Sequence, residues 1–201
     1  MDSNEILRHL ESFLASHQNA TLPIAAARLG IPRQEIECAL RDVEGTSFQE
    51  FRQNRKLAEA FEQLGASQAV PPGLLWEERR SHPRRIIPRT AVRYRVRGFW
   101  TYGKSFSNPC PLVDLSRGGL ALLGDLPQLP GKRVILLLKL PGREDELRVE
   151  GNVVYAVATG IAGFRYRIGI QFLPFADHRG SNSPKVLDAL VQFETNARYK
   201  I

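Results

Sequence analysis

From Thr90 onward the apolar residues recur at every second position, the spacing of a half-buried β-strand. Val92, Tyr94 and Val96 alternate with Arg93, Arg95 and Arg97. Successive side chains of a strand point to opposite faces, so one face is apolar and the other basic. The three arginines read as a solvated face rather than as ligand contacts. Residues 106–115 predict a second strand, leading into Asp114. Gly118-Gly119-Leu120-Ala121-Leu122-Leu123 opens a third, and residues 134–140 form an apolar run short enough for a buried fourth. Residues 146–159 alternate less cleanly and contain Gly151, read as a bulge or bend. Residues 165–174 give the sixth strand. Six short strands divided by Gly and Pro turns predict an antiparallel barrel.

The first third of the chain has a different period. Ile6, Leu7, Leu10, Phe13 and Leu14 fall on one helical face, with Asp2 or Ser3 available as a cap. A second helix over 22–29 stops at Gly30, and a third starts near Pro32 and ends at Gly45. Ser47 followed three residues later by Glu50 is a capping box. It opens a fourth helix that carries Phe48, Phe51, Leu57, Ala60, Phe61 and Leu64 and is expected to close at Gly65. Residues 66–76 read as a linker broken by Pro71-Pro72-Gly73. At the far end, Ser183-Pro184 starts a helix whose Val186, Leu190, Phe193 and Ala197 form one stripe, suited to covering a barrel end. The predicted fold class is α+β. An N-terminal all-α helix-turn-helix domain (1–65) and the linker precede a six-stranded antiparallel β-barrel (77–175), with a C-terminal helix and tail at 176–201.

Charge separates the two parts. Residues 1–66 hold seven basic and ten acidic side chains, a net of −3, so the rest of this +7 chain carries +10. An anionic ligand is expected on the second part. The two cysteines, Cys38 and Cys110, and the four scattered histidines show no metal-ligand spacing. No Ser/His/Asp or Cys/His grouping and no phosphate-binding glycine loop of an NTPase is present, so an enzyme is the least favoured class. No apolar run approaches the ~20 residues of a membrane helix, and the N-terminus lacks a signal-peptide pattern. A cytoplasmic protein without metal or cofactor is expected.

Two short motifs carry chemistry. Glu78-Arg79-Arg80-Ser81-His82-Pro83-Arg84-Arg85 places four arginines in eight residues, with Arg80 and Arg84 in an Arg-x-x-x-Arg spacing. Thirty residues later stands Asp114-Leu115-Ser116-Arg117-Gly118-Gly119, an Asp-x-Ser-x-x-Gly. A guanidinium reads guanine O6 and N7 with two parallel donors and grips phosphate in the same way. A carboxylate accepts from guanine's Watson–Crick edge, a Ser hydroxyl serves base or phosphate, and a Gly admits close approach to the backbone. The set suits a small anionic ligand bearing guanine.

This pair of motifs, in this order and spacing, resembles the PilZ family, receptor domains for the bacterial second messenger cyclic di-GMP. Gly169-Ile170-Gln171-Phe172 is similar to the family's closing strand. The resemblance covers roughly residues 77–175 and implies a barrel that binds cyclic di-GMP through Arg80, Arg84, Asp114, Ser116, Gly118 and Gly119. In such domains a basic residue just before the first motif arginine accompanies a stacked ligand dimer. Arg79 therefore implies two ligand molecules per domain, with a solvent-facing arginine as the alternative.

The helical part resembles the first helix-turn-helix and following long helix of the AraC family. Ala27, Leu29-Gly30-Ile31, Ile36, Leu40, Gly45-Thr46-Ser47-Phe48, Phe51, Lys56-Leu57 and Ala60 carry this likeness. It implies DNA binding through Arg33, Gln34, Glu37 and Arg41 on the third helix. AraC domains hold two such units and this chain has one. Glu35, Glu37 and Asp42 on that helix repel phosphate. A module that binds a protein partner or forms a homodimer is therefore the alternative. The two expectations are a ligand-responsive transcriptional regulator and a cyclic di-GMP-responsive adaptor.

Overall fold

A computed structural model describes residues 1–66, 86–97, 105–125 and 130–195. The linker after Ala66 and the arginine stretch with Arg79, Arg80 and Arg84 lie outside the described residues. The chain divides into two compact units, Met1–Glu59 and Ala60–Ile201.

The first unit is helical. Its elements are α1 (Ser3–Ser16), α2 (Leu22–Leu29), α3 (Arg33–Val43) and the opening turns of α4 (Phe48–Ala66). Leu10 and Leu14 of α1 meet Ile36 and Leu40 of α3, Ala25 and Ala26 of α2, and Phe48 and Phe51 of α4 in one core. The cap of α1 differs from expectation. Asp2 holds the N-cap position, but its backbone carbonyl rather than its side chain accepts the amides of Glu5 and Ile6. Pro32 stands just outside α3 and likewise accepts there through its carbonyl. The turn between α2 and α3 passes through Gly30 at φ 67°, a left-handed value that favours glycine. The capping box forms as expected: the Ser47 amide and hydroxyl donate to Glu50 Oε2 at 3.0 and 2.8 Å, and the Glu50 amide donates back to Ser47 Oγ. Gly65 does not close α4, which runs on to Ala66. A single Gly in a helix costs only about 1 kcal/mol, so it need not end one.

The second unit is a closed antiparallel barrel. Its strands are β1 (Ala91–Val96), β2 (Cys110–Ser116), β3 (Gly119–Gly124), β4 (Arg133–Leu138), β5 (Leu147–Ala158) and β6 (Tyr166–Phe172), in the order β1-β2-β3-β6-β5-β4. Every pairing is antiparallel. The interior is filled by alternate residues: Val92 and Tyr94, Leu120 and Leu122, Val134, Leu136 and Leu138, Ile168, Ile170 and Phe172. Helix α5 (Pro184–Thr195) adds Ala189, Leu190 and Phe193 to this core, with Val186 packed at its edge. Ala197 lies outside the described residues.

β2 starts at Cys110 rather than at residue 106. Ser107 instead exchanges bonds with Tyr94 through its hydroxyl and its amide, and Pro109 has no N–H to offer a ladder. Gly151 is not the bulge of β5. The register shift falls between Val153 and Tyr155, which leaves Val154 as the extra residue. Gly151 answers a different need: a Cβ there would meet the Gln171 carbonyl of the neighbouring strand.

Candidate functional site

The outer face over β2, β3, β6 and β5 is shaped by two bulges. On β2, Cys110 and Leu112 point into the core, so strict alternation would aim Asp114 inward as well. The register shifts between Leu112 and Asp114, which leaves Val113 as an extra residue. Its insertion inverts the phase. Leu115 now faces the core, while Asp114 and Ser116 face out. The same thing happens on β5. Leu147, Val149 and Val153 face inward, the extra Val154 stands exposed, and Ala156 takes the inner side. Tyr155 is thereby turned outward.

The two bulges act on one rung. Asp114 pairs with Ala121, Ala121 with Gly169, and Gly169 with Tyr155. Four strands thus present, side by side, a carboxylate, two small residues and an aromatic ring. Adjacent strands stand about 4.8 Å apart, so the rung is roughly 14 Å long. The next outward rung is Ser116, Gly119, Gln171 and Asn152. The one on the other side is Leu123, Arg167 and Val157.

Gly169 is small because Tyr155 needs the space: a Cβ at 169 would fall among the ring atoms of Tyr155, so the ring lies against the bare backbone of β6. Gly119 is small for a backbone reason. A Cβ there would collide with the Ile170 carbonyl. The Ser116 hydroxyl donates to the Gly119 carbonyl at 3.2 Å, and the Phe172 amide donates to the Gly118 carbonyl at 2.9 Å. Ser116, Gly118 and Gly119 therefore also fasten the β2–β3 turn to β6.

Asp114 has the most pointed geometry of the motif. It is 6% exposed, and Arg167 Nη2 donates to its Oδ2 at 2.9 Å. Arg167 sits on β6, so the ion pair spans β3 and passes over the rung at Ala121, which is fully buried. The Arg167 side chain is 42% exposed, yet its Nε is buried and has no hydrogen-bond partner among the described residues. Sequence reasoning missed both Arg167 and Tyr155. Their signal was the odd spacing of inward residues, Leu112 to Leu115 and Val153 to Ala156, where an unbroken strand has even spacing.

The structure brings Asp114, Ser116, Gly118 and Gly119 together at the β2–β3 corner. Arg79, Arg80 and Arg84 lie outside the described residues, so their distance from this corner is not described. In the helical unit Arg33, Gln34, Glu37 and Arg41 all stand exposed on α3, interleaved with exposed Glu35, Cys38 and Asp42. Among the described residues no cluster of three or more His, Cys, Asp or Glu is placed to hold a metal ion, and no helix is long and apolar enough to cross a membrane.

The closed six-stranded barrel, its bulge-built outer face and its Asp-x-Ser-x-x-Gly corner define a small β-barrel domain. A family model, that of the PilZ domain, matches residues 78–182, more than half of the chain. The chain belongs to the PilZ domain family. Comparison with curated proteins gives no match. Solved structures with a similar fold include the inhibitor of motility MotI/DgrA of Bacillus subtilis, 17% identical, covering 57% of this chain and 48% of that one with a TM-score of 0.43. The K. pneumonia MrkH–c-di-GMP complex is 18% identical, with coverages of 58% and 51% and a TM-score of 0.41. YcgR in complex with c-di-GMP from Escherichia coli is 16% identical, with coverages of 58% and 44% and a TM-score of 0.38. The match spans about half the length of these solved structures.

Proposed function

We propose that this protein is a cyclic di-GMP receptor whose ligand lies on the outer barrel face over β2, β3 and β6. The observation that carries the reading is the two-bulge rung within a PilZ domain: it turns the motif carboxylate Asp114 outward, across two small residues from an aromatic ring. Asp114 accepts from the N–H pair of a guanine. Tyr155, whose ring lies against the bare backbone of β6 at Gly169, offers a stacking surface. Arg80 and Arg84, which precede β1 in the chain, take phosphate or the Hoogsteen edge. Arg79 faces a second ligand molecule, so the stoichiometry is two per domain. The protein uses no cofactor and catalyses no reaction.

Each charge-assisted hydrogen bond contributes about 1.5–3 kcal/mol net, and a micromolar Kd corresponds to about 8 kcal/mol. A few such bonds therefore reach that range. Calorimetric titration tests the assignment. Arg80→Ala or Arg84→Ala should weaken cyclic di-GMP binding at least tenfold, and Arg79→Leu should lower the stoichiometry from two toward one. Unchanged affinity in both alanine variants would remove the arginine motif from the site.

For the helical unit the first reading is DNA binding through Arg33, Gln34, Glu37 and Arg41, which makes the protein a ligand-responsive transcriptional regulator. A specific observation favours the adaptor as a second reading: Glu35, Glu37, Asp42 and Glu44 are exposed on and beside α3, where they oppose a phosphate backbone. Capture of chromosomal DNA with and without cyclic di-GMP separates the two. DNA retained in a ligand-dependent way supports the regulator. DNA absent in both states, with ligand bound, supports docking of a protein or of a second copy.

A further inference from the structure

We propose that Arg167 is a positioning residue for base recognition: by holding Asp114 Oδ2 from across β3, it fixes the carboxylate plane and so sets the preference for guanine over adenine. This inference rests on reading the outer face as the cyclic di-GMP site.

Guanine's Watson–Crick edge offers two parallel N–H donors, which a carboxylate meets with both oxygens at once. Adenine turns an acceptor nitrogen toward the same carboxylate and is repelled. The discrimination depends on the plane of the carboxylate. An aspartate does not fix that plane by itself, because its terminal torsion is broad. The bulge at Val113 makes this worse, since Asp114 follows the irregular step of β2 directly. Arg167 comes from the other kind of strand. β6 pairs with β3 without a register shift, from Gly119–Gln171 to Gly124–Tyr166, so Arg167 is anchored on regular sheet. Its bond to Oδ2 at 2.9 Å ties the irregular strand to the regular one. An ionised carboxylate has about four acceptor sites, so one bond from Arg167 does not by itself close it to a ligand.

The pair joins a buried carboxylate to a guanidinium whose side chain is 42% exposed. That guanidinium keeps a buried Nε without a partner among the described residues. An arrangement that leaves a donor unsatisfied and still places Nη2 on Oδ2 is accounted for by what it does to Asp114.

The test is titration of cyclic di-GMP and of cyclic di-AMP into the full chain, for the wild type, Arg167→Met, Arg167→Lys, Asp114→Ala and the Asp114→Ala/Arg167→Met double variant. Thermal unfolding of each serves as the check on folding. Methionine keeps a long stem and loses the donors. The expected result is a fall of at least tenfold in the ratio of the two affinities in Arg167→Met, about 1.4 kcal/mol of lost discrimination, with partial recovery in Arg167→Lys. In the Asp114→Ala background, Arg167→Met should have no further effect, because the residue acts through Asp114. A purely structural role would weaken both ligands alike and leave the ratio unchanged. That result, in a variant that unfolds cooperatively, would overturn the inference while leaving the receptor reading intact. If Arg167→Met fails to fold, the ratio in Arg167→Lys decides, since lysine keeps the charge without the planar fork. Wild-type protein that binds neither ligand would remove the receptor reading itself.

Discussion

The two sides of the barrel belong to one closed sheet and make opposite use of charge. On the β1-β4-β5 side the register is unbroken, from Val92–Leu138 through Arg133–Asn152. Arginines stand there at regular intervals, and carboxylates meet them. Glu146 takes Arg93 in a two-pronged bond at 2.7 and 3.0 Å, and Glu150 accepts from Arg97 and Arg133 at 2.8 and 2.9 Å. Arg95 lies over the ring of Phe106, 4.9 Å from its centroid. The solvated basic face expected of Arg93, Arg95 and Arg97 is thus a set of cross-strand ion pairs and a cation–π contact. On the β2-β3-β6 side the register breaks at Val113, and at Val154 on the adjoining β5, and side chains are re-aimed rather than paired off rung by rung. A high count of arginines is therefore poor evidence for a site. A break in register that turns a carboxylate and an aromatic ring onto one rung is better evidence.

The largest effect should follow from removing that break. Deleting Val113 restores even spacing and sends Asp114 toward Leu112, Leu122 and the rest of the core. An unpaired carboxylate there costs several kcal/mol. Cyclic di-GMP binding should vanish, and cooperative thermal unfolding should be lost or shifted far down. A variant that binds and melts like the wild type would show that the bulge does not set the direction of Asp114.

Gly119→Ala comes next. Its methyl group meets the Ile170 carbonyl, backbone against backbone, so β3 and β6 must part. Overpacking of this kind costs typically 1–3 kcal/mol, and the Tm should fall accordingly. The matching change on the other side is Arg97→Gln. Its partner Glu150 keeps Arg133, and exposed ion pairs contribute about 0–1 kcal/mol. Stability should barely move, and ligand affinity should change less than twofold. A tenfold loss of affinity there would break the contrast between the two sides.

The smallest effect belongs to the β4–β5 turn. The Asp145 carboxyl is held below its ordinary pKa, first by the side-chain bond from Arg143. A depressed folded-state pKa contributes stability above the unfolded carboxylate value, and that contribution is lost as pH falls through the folded value. Arg143→Gln should thus lower the Tm slightly at neutral pH and not at all under strongly acid conditions. An equal difference at both would assign the effect to something other than this pair.

Much of the fold could be read from the residues because its signals are local. Val92, Tyr94 and Val96 alternate plainly, Ser47 and Glu50 form the expected cap, and Gly30 stops its helix. The corner at Asp114, Ser116 and Gly119 was legible because a two-residue turn, Arg117-Gly118, closes it. The rest depends on register between distant strands. Val113 and Val154 look like any β-branched strand residues, and only the three-residue steps from Leu112 to Leu115 and from Val153 to Ala156 mark them as extra. Arg167 meets Asp114 across 53 positions of sequence. Gly151 attracted the bulge assignment because glycines often mark one, whereas here it makes room for the Gln171 carbonyl.

In the proposed receptor the bulged side, and not the paired-charge side, faces the ligand. Backbone amide chemical shifts recorded with and without saturating cyclic di-GMP test it most directly. Large changes are expected at Asp114, Ala121, Arg167 and Gly169, with near silence at Arg93, Ile135 and Arg148. Large changes confined to Arg93, Ile135 and Arg148, with Ala121 and Gly169 unmoved, would contradict it.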